Sequence, residues 1–187
     1  MWWVQGEPAR AAAAYLAGRT EAEQHGKSGE AAHNQALRAL AVAFFDPHQA
    51  DYEIDLAEQL LAHLDLRASR INAAIAALLR DAGDPILEDR VRALRTELDV
   101  AGLTSVTPTL ELALAFHQAV SDDHDALTAT ISRLRELTRG GDIASFMADR
   151  PLPAGHTAPQ WLYGEQDTPT RWHQLVTSRR DFLRTRR

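Results

Sequence analysis

Ala39-Leu40-Ala41-Val42-Ala43-Phe44-Phe45-Asp46-Pro47 and Ile75-Ala76-Ala77-Leu78-Leu79-Arg80-Asp81-Ala82-Gly83-Asp84-Pro85 read alike: an apolar, alanine-rich helix that breaks at Asp-Pro. A proline pushes the residue before it out of the α region, so each first helix must end by Asp46 or Asp84. Proline is tolerated in the first turn of a helix, so a second helix can open directly after it. Leu56-Ala57-Glu58-Gln59-Leu60-Leu61 and Val91-Arg92-Ala93-Leu94-Arg95-Thr96-Glu97-Leu98 supply those second helices. A third copy is looser, with Leu110 to Val120 leading through Ser121-Asp122-Asp123 into a helix that holds Leu127, Ile131, Leu134 and Leu137. Helical hairpins thus recur at intervals of about 40 residues, the mark of stacked repeats.

Working outward, Pro8 suits the start of a first helix that runs to about His25, where Gly26-Lys27-Ser28-Gly29 punctuates it. From Glu30, Ala32, Ala36, Leu40 and Phe44 share one face of the next helix, and Tyr52, Leu56, Leu60 and Leu64 trace another. Thr107-Pro108 offers an N-cap and a first-turn proline for the helix through Phe116. Seven helices are expected between Pro8 and about Arg139, with Leu60, Ile75, Leu78, Leu94 and Phe116 in one continuous core. Gly140-Gly141 breaks the pattern, a short helix is expected at Ile143 to Ala148, and Pro151 to Pro159 has no periodicity. Trp161-Leu162-Tyr163 should anchor that loop across the helices, and Thr168-Pro169 opens a last helix that caps the stack. The expected organisation is a helical-repeat domain over residues 1–139, with a Pro-rich loop and C-terminal capping helix over 140–187 packed on it. The fold class is all-α: a tetratricopeptide-like stack of antiparallel hairpins, an α-solenoid.

With 187 residues, 45% hydrophobic and 25% charged, the chain can bury a sizeable core. A net charge of -6, spread along the chain, argues against nonspecific nucleic-acid binding. Arg179, Arg180, Arg184, Arg186 and Arg187 crowd the last nine residues, where a helix C-terminus favours cations; the alternative is a dedicated anionic site. There is no cysteine, which excludes disulfides and thiolate catalysis and fits a reducing cytoplasm. No run approaches the roughly 20 apolar residues needed to cross a bilayer, and no signal peptide opens the chain, so a soluble, cytoplasmic protein is expected.

Gly26-Lys27-Ser28 imitates the end of a phosphate-binding loop, but Glu21 stands where that loop needs its first glycine and a helix precedes it where a strand should. His117 and His124 flank Asp122, Asp123 and Asp125, which could suggest a metal site. No His-x-x-x-His pair occurs anywhere, and helix capping is the simpler task for Asp123 and Asp125. Asp51 with Asp55, and Glu53 with Glu58, resemble acid/base pairs but read more simply as a solvated helix face. No Gly-x-Ser-x-Gly surrounds a serine. The sequence holds no catalytic constellation, and no cofactor or metal is expected.

Trp3-Val4-Gln5-Gly6-Glu7-Pro8-Ala9-Arg10-Ala11, Leu40-Ala41-Val42-Ala43-Phe44-Phe45-Asp46-Pro47 and Leu134-Arg135-Glu136-Leu137-Thr138-Arg139-Gly140-Gly141-Asp142 resemble the tetratricopeptide-like C-terminal region of large actinobacterial ATP/GTP-binding regulatory proteins of the STAND type. In that family the repeats follow a nucleotide-binding switch module, which this chain lacks. The resemblance covers most of the chain and implies a sensor or protein-interaction part, free-standing or cut from a longer chain.

The expected function is therefore binding of a protein or peptide along a concave face, in a regulatory or scaffold role. First helices of hairpins line such a face, which makes Asn34, Arg38, Arg70, Asn72 and His117 the polar contact candidates. Trp2 and Trp3 either pack on the following helix or mark an interface, a homodimer included. The alternative is an enzyme or small-ligand pocket between the stack and the 151–163 loop, near His117, His156, Trp161 and Tyr163. The failed phosphate loop gives a direct test. Calorimetric titration with magnesium-ATP or magnesium-GTP should show no heat of binding; micromolar binding abolished by Lys27→Ala would overturn the reading.

Overall fold

Both Asp-Pro pairs fall between helices in the computed structural model, which describes residues 6–137 and 168–185. Asp46 accepts hydrogen bonds from the backbone N–H groups of His48 (3.1 Å) and Gln49 (2.9 Å), satisfying two free donors at the start of the helix that Pro47 opens. Asp84 accepts from Ile86 N–H at 3.0 Å, but there the helix begins only at Leu87, so Pro85 stands in the turn ahead of it. A second boundary also differs from expectation. Thr107 lies inside its helix, with Val106 in the capping position and a 3₁₀ turn, Thr104–Val106, leading in.

The eight α-helices of the described residues are α1 (Pro8–Gln24), α2 (Ser28–Val42), α3 (Pro47–Leu61), α4 (Arg67–Arg80), α5 (Leu87–Ala101), α6 (Thr107–Ser121), α7 (His124–Leu137) and α8 (Thr168–Thr185). Helix accounts for 84% of the described residues, and no strand occurs among them. The fold is all-α. None of these helices is long and apolar enough to cross a membrane. The expected short helix at 143–148 and the 151–163 loop lie outside the described residues, as do Trp2 and Trp3. The described residues form two compact units, divided between Asp81 and Ala82, with Gly6 grouped with the second.

The first unit is built on α2, which packs against α1, α3 and α4. Alanine makes that possible. Ala32 and Ala36 of α2 meet Ala57 and Leu61 of α3 and Ala73 of α4, and side chains this small let helix axes approach closely. Leu60, Leu64 and Leu66 seal the margin of this cluster. Phe44, Ile75 and Leu79 fill the remaining core.

One charge is buried with them. Glu53 of α3, 2% exposed, holds a two-pronged ion pair with Arg38 of α2, Nε to Oε2 at 2.9 Å and Nη2 to Oε1 at 2.8 Å. Gln35 donates to the same carboxylate at 2.8 Å and Gln49 at 3.1 Å. The remaining arms of the network reach α1: Arg38 donates to the Ala12 carbonyl, and Arg19 donates to Gln35 Oε1. Burial alone would push the Glu53 carboxyl up, but the hydrogen bonds from Arg38 and Gln35 outweigh it and hold the group below its ordinary value. Glu53 is thus not on the solvated face expected for it. It stands on the inner stripe Ala50, Ile54, Ala57, Leu61.

In the second unit α6 is the central helix, packed by α5, α7 and α8. Every residue from Leu110 to Val120 is buried, as an apolar helix surrounded on several sides requires. It too carries a buried carboxylate. Glu111 accepts from Arg95 of α5, at 2.9 and 2.5 Å, and from Arg133 of α7 at 3.2 Å. Trp172 and Val176 of α8 are buried, and the buried Arg179 guanidinium lies 5.5 Å from the centre of the Phe116 ring.

The expected core set is placed in part. Ile75 and Leu78 are buried in the first unit and Phe116 in the second. Leu60 and Leu94 are only half-buried, and their neighbours Leu61, Val91 and Leu98 take the inner positions. Ile75 is fully enclosed, so Ile75→Ala should lower the unfolding free energy by about 2–5 kcal/mol in urea denaturation. A loss within experimental error would show that α4 packs through another face.

Candidate recognition groove

Three elements of the second unit meet at the C-terminal end of α6. Asp122 closes that helix in the left-handed conformation (φ 65°), which aspartate tolerates better than most residues. Opposite it, Gly83 lies in the turn before α5 at φ 100°, and a Cβ there would stand 2.3 Å from Cδ1 of Leu183 on α8. The contact is with the flexible end of the Leu183 side chain, so it is the positive φ of the turn that favours glycine there. Between them opens a polar groove of about 570 Å³, lined by Gly83, Glu88, His117, Gln118, Asp123 and Arg180 among others.

His117 is fixed by the turn. Its Nδ1 accepts the backbone N–H of Gly83 at 3.0 Å, which places the proton of the neutral ring on Nε2. Nε2 has no partner among the described residues. Burial lowers the His117 pKa, outweighing the opposing pull of Glu88, Asp84 and Asp123. Gln118, next along α6, is 3% exposed and donates its amide to Glu88 at 3.0 Å, while its buried Oε1 has no partner among the described residues.

Arg180 donates to Asp122 at 2.9 Å and to the Ala119 carbonyl at the free end of α6. Its buried Nε has no partner among the described residues. Arg184 pairs with Asp181 at 3.1 Å. The C-terminal arginines were expected to complement the dipole of their own helix or to form an anionic site. Arg180 instead serves the C-terminus of α6, and Arg179 stacks on Phe116. Asp123 caps α7 as anticipated, accepting from Ala126 N–H at 3.0 Å. No group of three or more potential metal ligands gathers among the described residues.

Of the five contact candidates, His117 alone lines this groove. The other four belong to the first unit, Asn34 and Arg38 on α2 and Arg70 and Asn72 on α4. Arg38 is engaged by Glu53. Arg70 donates to the carbonyls of Leu61 and Leu64 and so closes the end of α3. Asn34 bonds the Glu30 carbonyl and packs against Gly18 of α1, and Asn72 is buried. His33 and Ser69 form a side-chain pair at 3.0 Å, and among the described residues no third group is bonded to the imidazole. His156, Trp161 and Tyr163 lie outside the described residues.

Sequence reasoning missed Gln118 and Glu88, and it marked Arg180 only as one of the C-terminal arginines. Glu88 and Arg180 carry no signal of their own, because their role depends on which helix ends meet. No family model, curated protein or solved structure matches the chain, so the groove itself carries the functional reading.

The lowered His117 pKa sets a pH dependence. The unfolded chain binds the proton at the ordinary value of 6.5 and the folded chain only below it, so stability should fall as pH drops from that value through the lowered one. His117→Asn keeps an acceptor for Gly83 and removes the titration. Urea midpoints across that window should decline less steeply in the variant; an unchanged slope would show that the ring is not held neutral.

Proposed function

We propose that the protein is a regulatory or scaffold module of the tetratricopeptide-like kind, an α-solenoid of stacked hairpins that binds a protein or peptide segment and performs no catalysis of its own. In the first unit the central helix α2 touches its chain neighbours and also α4, the helix two places on, and in the second α6 touches α5, α7 and α8. That is how successive hairpins stack when each buries the open side of the one before. The resemblance to the C-terminal repeats of actinobacterial STAND-type regulators supports the same reading, and with it a cytoplasmic location.

The observation that carries the proposal is the groove at the end of α6. It is open and polar, and Gln118 and Arg180 of its lining each hold a polar atom with no hydrogen-bond partner among the described residues. Small-molecule sites are instead mostly apolar hollows that enclose the ligand. An extended segment, with a donor and an acceptor in every peptide unit, matches such walls. A homodimer through Trp2 and Trp3 remains part of the proposal for the other end of the chain.

Panning a random displayed peptide library against the protein tests this. Binders are expected, and adding one to ¹⁵N-labelled protein should shift amide resonances of α5, α6 and α8. A library that yields no binder, together with a metabolite that raises the thermal midpoint, would replace this reading with the small-ligand one.

A further inference from the structure

The groove is not neutral toward what enters it. Glu88 and Asp123 are exposed carboxylates on its walls, and neither has a cationic partner among the described residues. Together with Asp84 they pull the His117 pKa upward against the larger effect of burial, as carboxylates close to an imidazole do. The two arginines on the opposite wall do not cancel this. Arg180 is committed to Asp122 and to the partial negative charge at the end of α6, and Arg184 to Asp181. The net charge of -6 adds long-range attraction for a basic partner.

The unpaired hydrogen-bonding groups sort by type. Acceptors are Gln118 Oε1 and the free carboxylate oxygens of Glu88 and Asp123; donors are His117 Nε2–H and Arg180 Nε–H. Gln118 Oε1 and Arg180 Nε are covered as the side chains stand, so a ligand reaches them where those side chains turn toward it, and it then relieves the cost of a buried polar atom without a partner. A protonated amine or guanidinium supplies donors only, and the carbonyls of the backbone that bears it supply acceptors.

Resting on the reading of the protein as a segment binder, we propose that this groove recognises a lysine or arginine side chain of the partner, its cation between Glu88 and Asp123 and donating to Gln118, with flanking carbonyls accepting from His117 and Arg180. Acidic segments are rejected, because a carboxylate would face Glu88 and Asp123 without a counter-charge.

The test is the composition and charge response of peptides selected on the full chain. Selected sequences should be enriched in lysine or arginine. In fluorescence anisotropy, replacing that residue by glutamine should weaken binding roughly tenfold or more, the scale of losing a charged hydrogen-bonding partner. Glu88→Gln, which can still accept from Gln118, and Asp123→Asn, which can still cap α7, should each weaken binding by several-fold while circular dichroism stays unchanged. Glu88→Lys should recover affinity for the same peptide with its basic residue changed to glutamate. Peptides that shift groove resonances but show no basic preference would overturn this inference and leave the binding function standing. Basic peptides indifferent to Glu88 and Asp123 would place their site elsewhere and overturn it too. If no peptide binds, the reading of a segment binder falls as well.

Discussion

A buried carboxylate held by arginine governs each half of this structure. Glu53 and Glu111 are acids almost fully removed from water, and an isolated charge in that position costs several kcal/mol. Each is tolerable only because guanidinium groups from neighbouring helices meet it with good geometry. The requirement runs in both directions. Arg38 must come from α2 and reach α1 as well, and Arg95 and Arg133 must bring α5 and α7 to the two sides of α6. Hydrophobic burial draws the helices together without direction; these pairs fix which helices meet and at what level along their axes.

Once α6 is locked among its neighbours, the positions at its C-terminal end follow. Its last turns carry His117 and Gln118 into a place where they are nearly buried yet still line open space. The tight turn at Gly83 and the packing of Leu183 on it bring the third wall into position. Rigid helices and one glycine turn therefore define the groove and hold its side chains in place, which for the segment binding proposed above reduces the entropic cost. The same rigidity explains why His117 stays neutral: protonating Nδ1 would break the bond from Gly83 in a site that burial already makes unfavourable to charge.

The sequence made the helices and their turns readable because those depend on local rules. The steric block before proline is independent of tertiary context, so Asp46-Pro47 and Asp84-Pro85 both mark turns. The run from Leu110 to Val120 read as the first helix of a hairpin, and the one histidine within it lines the groove; that the helix is buried on every face became visible only in the fold. Capping chemistry was less legible at Thr107, where a 3₁₀ turn takes over the entry to α6. The carboxylates escaped notice for a different reason. Glu53 sits among Asp51, Asp55 and Glu58 and so looks like part of a solvated face, yet it falls on the stripe of Ala50, Ile54, Ala57 and Leu61. Read by helical phase and not by charge, it stands out, as does Glu111 within its apolar run. That Arg38 and Arg70 would be committed inside the fold could not be read locally, since their partners lie on other helices or at a helix end. The meeting of Gly83, Glu88 and Arg180 around α6 is tertiary, and no spacing along the chain encodes it.

The central claim, that buried ion pairs hold each set of helices in place, is tested most directly by a double-mutant cycle on Arg38 and Glu53. Unfolding free energies would be measured for Arg38→Met, Glu53→Leu and the combination. Each single change strands a polar partner in the interior, so each should cost on the order of 3–5 kcal/mol, and the double variant, which strands neither, should be at least as stable as either single. Additive losses would contradict the account, showing that the two side chains act independently and that packing alone fixes α2 against α3.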